Sequence, residues 1–355
     1  MIDRTAGQRD RWAMPFATLP VTEPMAGPLG LVSREAPMMG GRVGIHVQPI
    51  RAEADTAAKS ASKAAAEAEA VLRRISAWAD RLTRFTTTSE LSRLNADPRS
   101  AVLVGPTLAA VLDWGRYAEG LTDGIVDIGL LDARLAAESG ARGPAGDDDP
   151  TPTTDRAPQP SPASRSWSLD RRARGAVVRR PAGLRFDLDG VGKGWLADRA
   201  IERLAHHAAA VVDADGDVAI QLGSDVSWWF GIADPRLDAH DLALLRLTPR
   251  GGTGRLDGRF GLATSGTSIH RWDGAGGATH HLIDPRSGRS ATTDVVQATV
   301  LARTAREAEA LAKSIVILGA AAGYDLVDRV GVDGAVLLTD QDELLIHPAT
   351  LRWLA

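Results

Sequence analysis

The chain has 355 residues, of which 44% are hydrophobic and 24% are charged, and its formal net charge is −4. These values are typical of a globular protein, and the missing basic excess argues against a general nucleic-acid or membrane-surface binder, because polyanions are attracted by an excess of Lys and Arg. The chain contains no cysteine, which excludes disulfides, thiolate metal sites and a cysteine nucleophile.

Residues 1–36 show no clear hydrophobic period, so we expect an irregular N-terminal arm. The first residues contain no apolar run of signal-peptide length, and the chain has no stretch of the roughly 20 apolar residues that span a bilayer. We therefore expect a cytoplasmic protein without membrane insertion.

The first half of the remaining chain is rich in helix signals. β-branched residues after a glycine turn predict a strand at 40–50, and an Ala-, Glu- and Lys-rich stretch predicts a long helix over 53–80. Ser89 is placed to cap a short helix, and a further helix is predicted over 106–119. Residues 140–166 are rich in proline and poor in residues that could form a core, which indicates a disordered insertion.

The second half alternates strands with helices. The pattern predicts hairpins or strands over 167–189, 209–223, 228–235, 295–302 and 334–347, and helices over 194–207 and 306–323. Because these elements do not follow a strict βαβ repeat, the sequence predicts an α+β fold.

The segment "FDLDGVGKGW" (186–195) combines glycines with a lysine, which suggests a bound phosphate. It does not match a P-loop, because Gly194 follows Lys193 where Ser or Thr is required. It does not match the dinucleotide-binding fingerprint either, because Trp195 stands at the third glycine position. Two interpretations remain: a backbone that approaches a phosphate, or a tight turn whose glycines supply positive φ.

Two later segments carry polar groups in short loops. In "THHLIDPRSGRS" (279–290), Pro285 favours extended backbone at Asp284 and so aims its carboxylate, three residues after His281. In "ATSGTS" (263–268), small hydroxyl residues around Gly266 can offer backbone N–H groups to an anion. Each segment alone is also compatible with an ordinary turn.

The order of these segments resembles the ApbE family. The resemblance rests on "FDLDGVGKGWLADRA", "VVDADGD", "WWFGIADP", "LATSGTS", "HHLIDPRSG" and "REAEALAKSIVILG", preceded by "MMGGRVGI", "TRFTTTSELSRLN" and "GIVDIGLL". It covers about residues 38–340. It implies one ApbE-like, T-fold-related α+β domain over 37–355, with mixed sheets and packed helices, interrupted by the insertion at 140–166.

Members of this family are FAD:protein FMN transferases that use FAD as a substrate together with Mg²⁺. A Ser or Thr hydroxyl of a target protein attacks the FMN-side phosphorus, AMP leaves, and FMN stays on the target as a phosphoester. The resemblance therefore implies a flavoprotein whose partners are FAD and a protein acceptor with a Ser/Thr flavinylation motif. Glycines let backbone N–H groups approach the pyrophosphate, and a metal neutralises its charge.

The resemblance also implies roles for individual residues. The residues that would act near the phosphate chemistry are His281 and Asp284. The residues that would contact the dinucleotide are Met39, Phe85, Asp187, Gly190, Val191, Gly192, Lys193, Gly194, Asp217, Ser265 and His281. The metal would be held by the carbonyl of Gly192 and by Glu309, with Lys313 at the position of a third ligand.

Lys313 departs from the family pattern. Where the family has Ala-Asp-Ala-Leu-Ala-Thr, with Asp and Thr as ligands, this chain has "AEALAK". Glu309 can still bind Mg²⁺ through oxygen, but the ammonium of Lys313 has no acceptor. Either Lys313 replaces the metal in an FAD-binding protein with impaired catalysis, or Glu309 and Lys313 simply pair as i,i+4 neighbours on a helix surface.

Three further acids, Asp189, Asp213 and Asp215, stand where the family has glycine or asparagine. A carboxylate close to a pyrophosphate is unfavourable unless a cation lies between them. These positions therefore also put Mg²⁺-dependent chemistry in question.

Overall fold

The computed structural model describes residues 30–50, 56–142, 166–237, 240–250, 258–268, 271–274 and 277–355. The predicted arm (1–36) and insertion (140–166) lie mostly outside these ranges. Where they are described, both boundaries need correction. Residues from Val32 onward form a strand, because they pair with the next strand, and a helix continues to Arg142.

The described part of the chain forms an α+β fold. Its helices are α1 (Ala57–Leu82), α2 (Glu90–Ala96), α3 (Pro106–Leu121), α4 (Leu131–Arg142), α5 (Gly192–Ile201), α6 (Ala305–Leu318) and α7 (Ala320–Val330), with a final 3₁₀ helix at Pro348–Trp353. Its first strands are β1 (Val32–Met38), β2 (Gly41–Gln48), β3 (Ala101–Val104), β4 (Ser168–Arg172), β5 (Gly175–Arg179), β6 (Ala209–Ala214), β7 (Asp217–Leu222), β8 (Trp228–Ala233) and β9 (Asp241–Leu247). The remaining strands are β10 (Arg259–Gly266), β11 (Arg271–Gly274), β12 (Gly277–His280), β13 (Ile283–Asp284), β14 (Arg289–Ser290), β15 (Val295–Ala302), β16 (Gly334–Thr339) and β17 (Leu344–Ile346).

An eight-stranded antiparallel sheet forms the centre, with the strand order β1-β2-β6-β7-β10-β15-β16-β17. Successive side chains of a strand point to opposite faces, so the apolar residues of β6 divide between two cores. Val212 packs toward helices α1 and α5, whereas Val211 packs toward the β8–β9 hairpin and the 3₁₀ helix. Helices α6 and α7 cover the rest of the first face.

A further core, the α2–α3 core, lies between helices α2 and α3 and the three-stranded sheet β3-β5-β4. Its side chains include Phe186 and Trp195, which flank the glycine-rich loop. Burial of these two aromatic rings fixes both ends of the loop and so sets the position of the start of α5.

Two tight turns mark one end of the central sheet. Met39 and Gly40 connect β1 to β2 with φ of 56° and 81°, and Asp215 and Gly216 connect β6 to β7 with φ of 60° and 93°. A two-residue loop with positive φ at both positions is a type I′ turn. Since β2 and β6 are antiparallel neighbours, the turns lie side by side, and a Cβ on Gly41 would overlap the Asp215 carboxylate.

Several predicted elements are confirmed. Ser89 caps α2, where its hydroxyl accepts a hydrogen bond of 2.9 Å from the N–H of Ser92. The helix predicted over 306–323 is wrong at its end, because Gly319 has φ of 84° and separates α6 from a second helix that begins at Ala320.

Among the residues that the structure describes, none of the helices combines the length and the apolar composition needed to span a bilayer.

Candidate functional site

A cleft of about 590 Å³, including the part open to solvent, lies beside helix α6. The walls come from the segment after α3, the loop before α5, the segment after β12 and one face of α6. The lining residues are Ile125, Val126, Asp127, Ile128, Leu130, Arg134, Asp187, Asp189, Gly190, His281, Leu282, Ile283, Lys313 and Ile317.

The glycine-rich loop forms one wall and then becomes helix α5. The N–H of Gly192 donates to the carbonyl of Leu188 at 2.8 Å, which closes the turn that precedes the helix. Gly190 lines the cleft, whereas the side chain of Val191 is buried in the α2–α3 core. Any contact of Val191 with a ligand would therefore use its backbone.

Gly194 has a packing role. A Cβ at this position would lie 2.7 Å from the carbonyl oxygen of Ala305 and 2.7 Å from the backbone N of Arg306, so only glycine lets α5 and α6 approach this closely. Its N–H donates to Oε2 of Glu309 at 2.9 Å. In this structure the N–H is thus directed to a buried carboxylate, and its contact with a dinucleotide stays a prediction.

Helices α5 and α6 cap each other. Glu309, on α6, accepts from the first turn of α5, and Asp198, on α5, accepts from the N–H groups of Ala305 at 3.0 Å and Arg306 at 3.2 Å. A carboxylate at a helix N-terminus satisfies free N–H groups and interacts favourably with the helix dipole. Burial raises the pKa of Asp198 to about 6, against the effect of these hydrogen bonds. Asp198 was not among the residues predicted from the sequence. Its position among the apolar residues of a predicted helix could have indicated a buried acid.

This packing places a buried charged cluster at the cleft, formed by Lys313, Glu309 and Asp217. Nζ of Lys313 lies 2.8 Å from Oε1 of Glu309, and the exposed fractions of the two side chains are 15% and 0%. Burial would lower the pKa of Lys313, but the charges of Glu309 and Asp217 outweigh it and raise the pKa. Burial, together with the charge of Glu309, raises the pKa of Asp217 well above its usual range.

Glu309 and Lys313 do pair, but the interpretation as an exposed surface pair is wrong, because Glu309 is fully buried and only 15% of the Lys313 side chain is exposed. The stem of Lys313 lies over the glycine loop, with its Cδ 3.8 Å from the point where a Cβ of Gly190 would stand. Lys313 thus enters the cleft from α6.

The proposed metal ligands do not fit Mg²⁺ at this position. One oxygen of Glu309 accepts from Gly194 and the other from Lys313, and the ammonium of Lys313 offers no lone pair. A hard cation such as Mg²⁺ requires oxygen ligands. Here the ammonium of Lys313 occupies the position at which the resemblance implies a Thr ligand.

A network of ion pairs surrounds the mouth of the cleft. Nη2 of Arg84 contacts Oε1 of Glu138 at 2.6 Å, and Arg134 binds the same oxygen at 2.7 Å. Arg84 also lies 3.9 Å from Asp187 and 3.7 Å from Asp189. Burial, and then the charge of Asp189, raise the pKa of Asp187 to about 6, against the opposing charge of Arg84.

Sequence reasoning missed the basic members of this network. Arg84 lies in the segment that carried the resemblance, next to Phe85, and its guanidinium stacks 4.3 Å from the centre of the Phe85 ring. Phe85 is 72% exposed and does not line the cleft. No sequence pattern predicted a site role for Arg134. It donates to the carbonyl of His281 at 2.7 Å, and this contact joins segments that are distant in the chain.

The structure separates the two residues expected to act near the phosphate chemistry. His281 lines the cleft. Asp284 does not, and its carboxylate binds Arg286 through contacts of 2.8 and 2.9 Å while capping the turn that follows. The neighbouring His280 is buried, with Nε2 3.0 Å from the carbonyl oxygen of Ala291, which is a structural contact.

The other predicted contacts lie at the end of the sheet marked by the type I′ turns. Nζ of Lys193 lies 2.5 Å from Oδ2 of Asp215, so Lys193 is paired at this turn and does not line the cleft. Met39 packs between the cores on either side of α5. Ser265 is buried. Ala263, two residues before it in β10, is the register partner of Asp217 in β7. Side chains two residues apart on a strand point to the same face, so Ser265 and Asp217 face the same side of the sheet.

The sequence model of the ApbE family matches residues 39–336. Among curated relatives, the chain is 30% identical over 173 residues to the FAD:protein FMN transferase of Treponema pallidum, an alignment that covers 45% of each chain. It is 26% identical over 181 residues to the protein of the same name from Klebsiella pneumoniae, covering 50% of this chain and 53% of the relative. The chain thus spans about half the length of the curated relatives it matches.

Solved structures support the same fold. The ApbE protein of Thermotoga maritima superposes with a TM-score of 0.70 at 20% identity, covering 92% of this chain and 99% of that one. The flavinyl transferase ApbE of Pseudomonas stutzeri superposes with a TM-score of 0.68 at 20% identity, covering 91% and 96%. Because the family match extends over most of the sequence, this chain belongs to the ApbE family.

Proposed function

We propose that this chain binds FAD in the cleft and transfers its FMN part to a Ser or Thr hydroxyl of a protein acceptor, with release of AMP. Family membership and the transferase names of the relatives support this activity. The observation that carries the proposal is the buried ammonium of Lys313, which enters the cleft over the glycine loop at Gly190.

In this proposal the positive charge next to the pyrophosphate is supplied by the protein. Lys313 uses one of its three N–H donors for Glu309, and an ammonium in a water-poor site stabilises the charge that develops on phosphate oxygens.

The reaction requires a base and a leaving group. The acceptor hydroxyl oxygen forms a bond to the FMN-side phosphorus, the bond from that phosphorus to the bridging oxygen breaks, and AMP carries away the electron pair. His281 is the cleft residue whose imidazole can accept the hydroxyl proton. Asp284, which pairs with Arg286 outside the cleft lining, has no part in this scheme.

A second candidate function is FAD binding without transfer. It is favoured by the bonded state of both Glu309 oxygens, which leaves this carboxylate without a site for Mg²⁺. It is also favoured by the acids Asp187 and Asp189 on the cleft wall, which oppose an anionic substrate.

Two measurements on the full chain distinguish these functions. Flavin fluorescence during an FAD titration reports binding, and chromatography of AMP together with in-gel flavin fluorescence of a candidate acceptor reports transfer. We expect FAD binding, and we expect AMP release that persists with EDTA. Lys313→Met should abolish AMP release, whereas Lys59→Met, at an exposed position of α1, should not.

Failure to bind FAD at high micromolar concentration would contradict both functions. Binding without AMP release or acceptor labelling, with or without Mg²⁺, would establish the second. AMP release that requires Mg²⁺ in the unmodified chain would contradict the role given to Lys313.

A further inference from the structure

A second cluster of ligand-type side chains lies away from the cleft, where helix α1 passes the connection between α5 and β6. Nε2 of His206 lies 3.0 Å and Nε2 of His207 lies 2.7 Å from the same carboxylate oxygen, Oε2 of Glu67. The three ligand atoms all lie within 4.8 Å of one another. Glu67 is near the middle of α1, whereas the two histidines are nearly 140 residues further along the chain.

The two adjacent histidines direct the same ring nitrogen, Nε2, to one carboxylate oxygen. Here the rings of His206 and His207 lie with their centres 4.1 Å apart and their planes at 37°, so both Nε2 atoms converge. The side chain of His207 is only 7% exposed and is held by packing, whereas that of His206 is 53% exposed. One side of the cluster is therefore preformed and the other is open to water.

The distances suit a small divalent cation after a slight opening. Imidazole and carboxylate ligands at about 2.0–2.1 Å from a tetrahedral Zn²⁺ are about 3.3 Å apart, which is about 0.3–0.6 Å more than the present separations. Two imidazoles and one carboxylate match the ligand preference of Zn²⁺ and related transition metals better than that of Mg²⁺, which prefers oxygen. The exposed edge at His206 leaves room for water as a fourth ligand.

From this geometry we infer a transition-metal site at Glu67, His206 and His207 that binds Zn²⁺ or a similar divalent cation. Helix α5 is 10 residues and about 15 Å long, and it leads from the glycine-rich loop at the cleft towards this cluster. The ion therefore takes no part in chemistry at the cleft. It joins α1 to the chain that leads from α5 into the central sheet, and its binding stabilises the folded state.

The site is tested with tag-free, full-length protein treated with a chelator and then titrated with Co²⁺ or Zn²⁺ alone. We expect one Co²⁺ per chain with visible absorption of a tetrahedral or five-coordinate centre, displacement by Zn²⁺ but not by Mg²⁺, and a rise in Tm with Zn²⁺. Glu67→Gln and His206→Ala should each weaken binding about 10-fold or more, since even changes to groups that only orient a ligand cost about 10–100-fold.

His240→Ala is the matched control, because it removes an exposed histidine outside the cluster and should leave the affinity unchanged. His206 is the histidine chosen for substitution because its side chain is 53% exposed and contributes little to the core, and circular dichroism checks that the variant is folded. The inference is overturned if the unmodified chain binds no stoichiometric Co²⁺ or Zn²⁺. It is also overturned if binding survives in both cluster variants or is lost equally in His240→Ala.

Discussion

Replacing Lys313 by Thr tests whether this lysine stands in place of a metal ion. The substitution removes the ammonium and supplies the hydroxyl that the family has at this position. In the unmodified chain, Lys313 is bonded to Glu309 at 2.8 Å and opposes the buried Asp217. After the substitution, two buried acids face each other without a cation, and Mg²⁺ can enter among oxygen ligands.

The size of the effect follows from burial. Removing one partner of a buried ion pair costs about 3–5 kcal/mol. We expect the lower value, because Glu309 keeps its hydrogen bond from the N–H of Gly194. With about 2.1 cal/mol/K of unfolding entropy per residue, a loss of about 3 kcal/mol lowers Tm by roughly 4 °C in a chain of 355 residues.

The assay is thermal unfolding across a Mg²⁺ titration for the unmodified chain, Lys313→Thr and Lys313→Met. We expect no Mg²⁺ dependence in the unmodified chain, a lower Tm that Mg²⁺ restores in Lys313→Thr, and a lower Tm that Mg²⁺ does not restore in Lys313→Met, which lacks the hydroxyl. Any AMP release from FAD should become Mg²⁺-dependent in Lys313→Thr. If the Mg²⁺ curves of Lys313→Thr and the unmodified chain superimpose, the substitution of metal by lysine is refuted.

Three further predictions concern the cleft, the helix contact and the insertion. Burial raises the pKa of Asp187 to about 6, so this acid is charged above that pH and neutral below it. FAD should therefore bind more tightly at about pH 5 than at about pH 7.5, and a fluorescence titration of Asp187→Asn should lose the part of this dependence that Asp187 causes. Gly194→Ala should destabilise the chain by about 1–3 kcal/mol in urea unfolding, because its Cβ would overlap the backbone of α6. Gly120→Ala, where a Cβ meets nothing within 4 Å, should be neutral or stabilising by up to about 1 kcal/mol. Replacing residues 143–165 by a short Gly-Ser bridge should leave Tm and FAD affinity unchanged, and a loss of folding would show that these residues contribute to the core.

Local signals were sufficient for much of the fold. Helix α3 was predicted to within a few residues, and the Ser89 cap was predicted correctly, because a cap depends on the N–H groups of the next turn only. The order of short motifs was sufficient to indicate the family whose sequence model matches residues 39–336. The same motifs placed Asp187, Gly190 and His281 in the site, and all three line the cleft.

The sequence by itself could not decide the state of Lys313. Its i,i+4 spacing from Glu309 establishes that the two side chains share one face of a helix, but an exposed pair and a buried pair have the same spacing. What decides between them is the contact of α6 with α5 and the central sheet, where Gly194 and Asp217 arrive from distant parts of the chain. Periodicity reports which residues share a face, whereas burial, and with it the energy of a charge, depends on what that face meets in the tertiary structure.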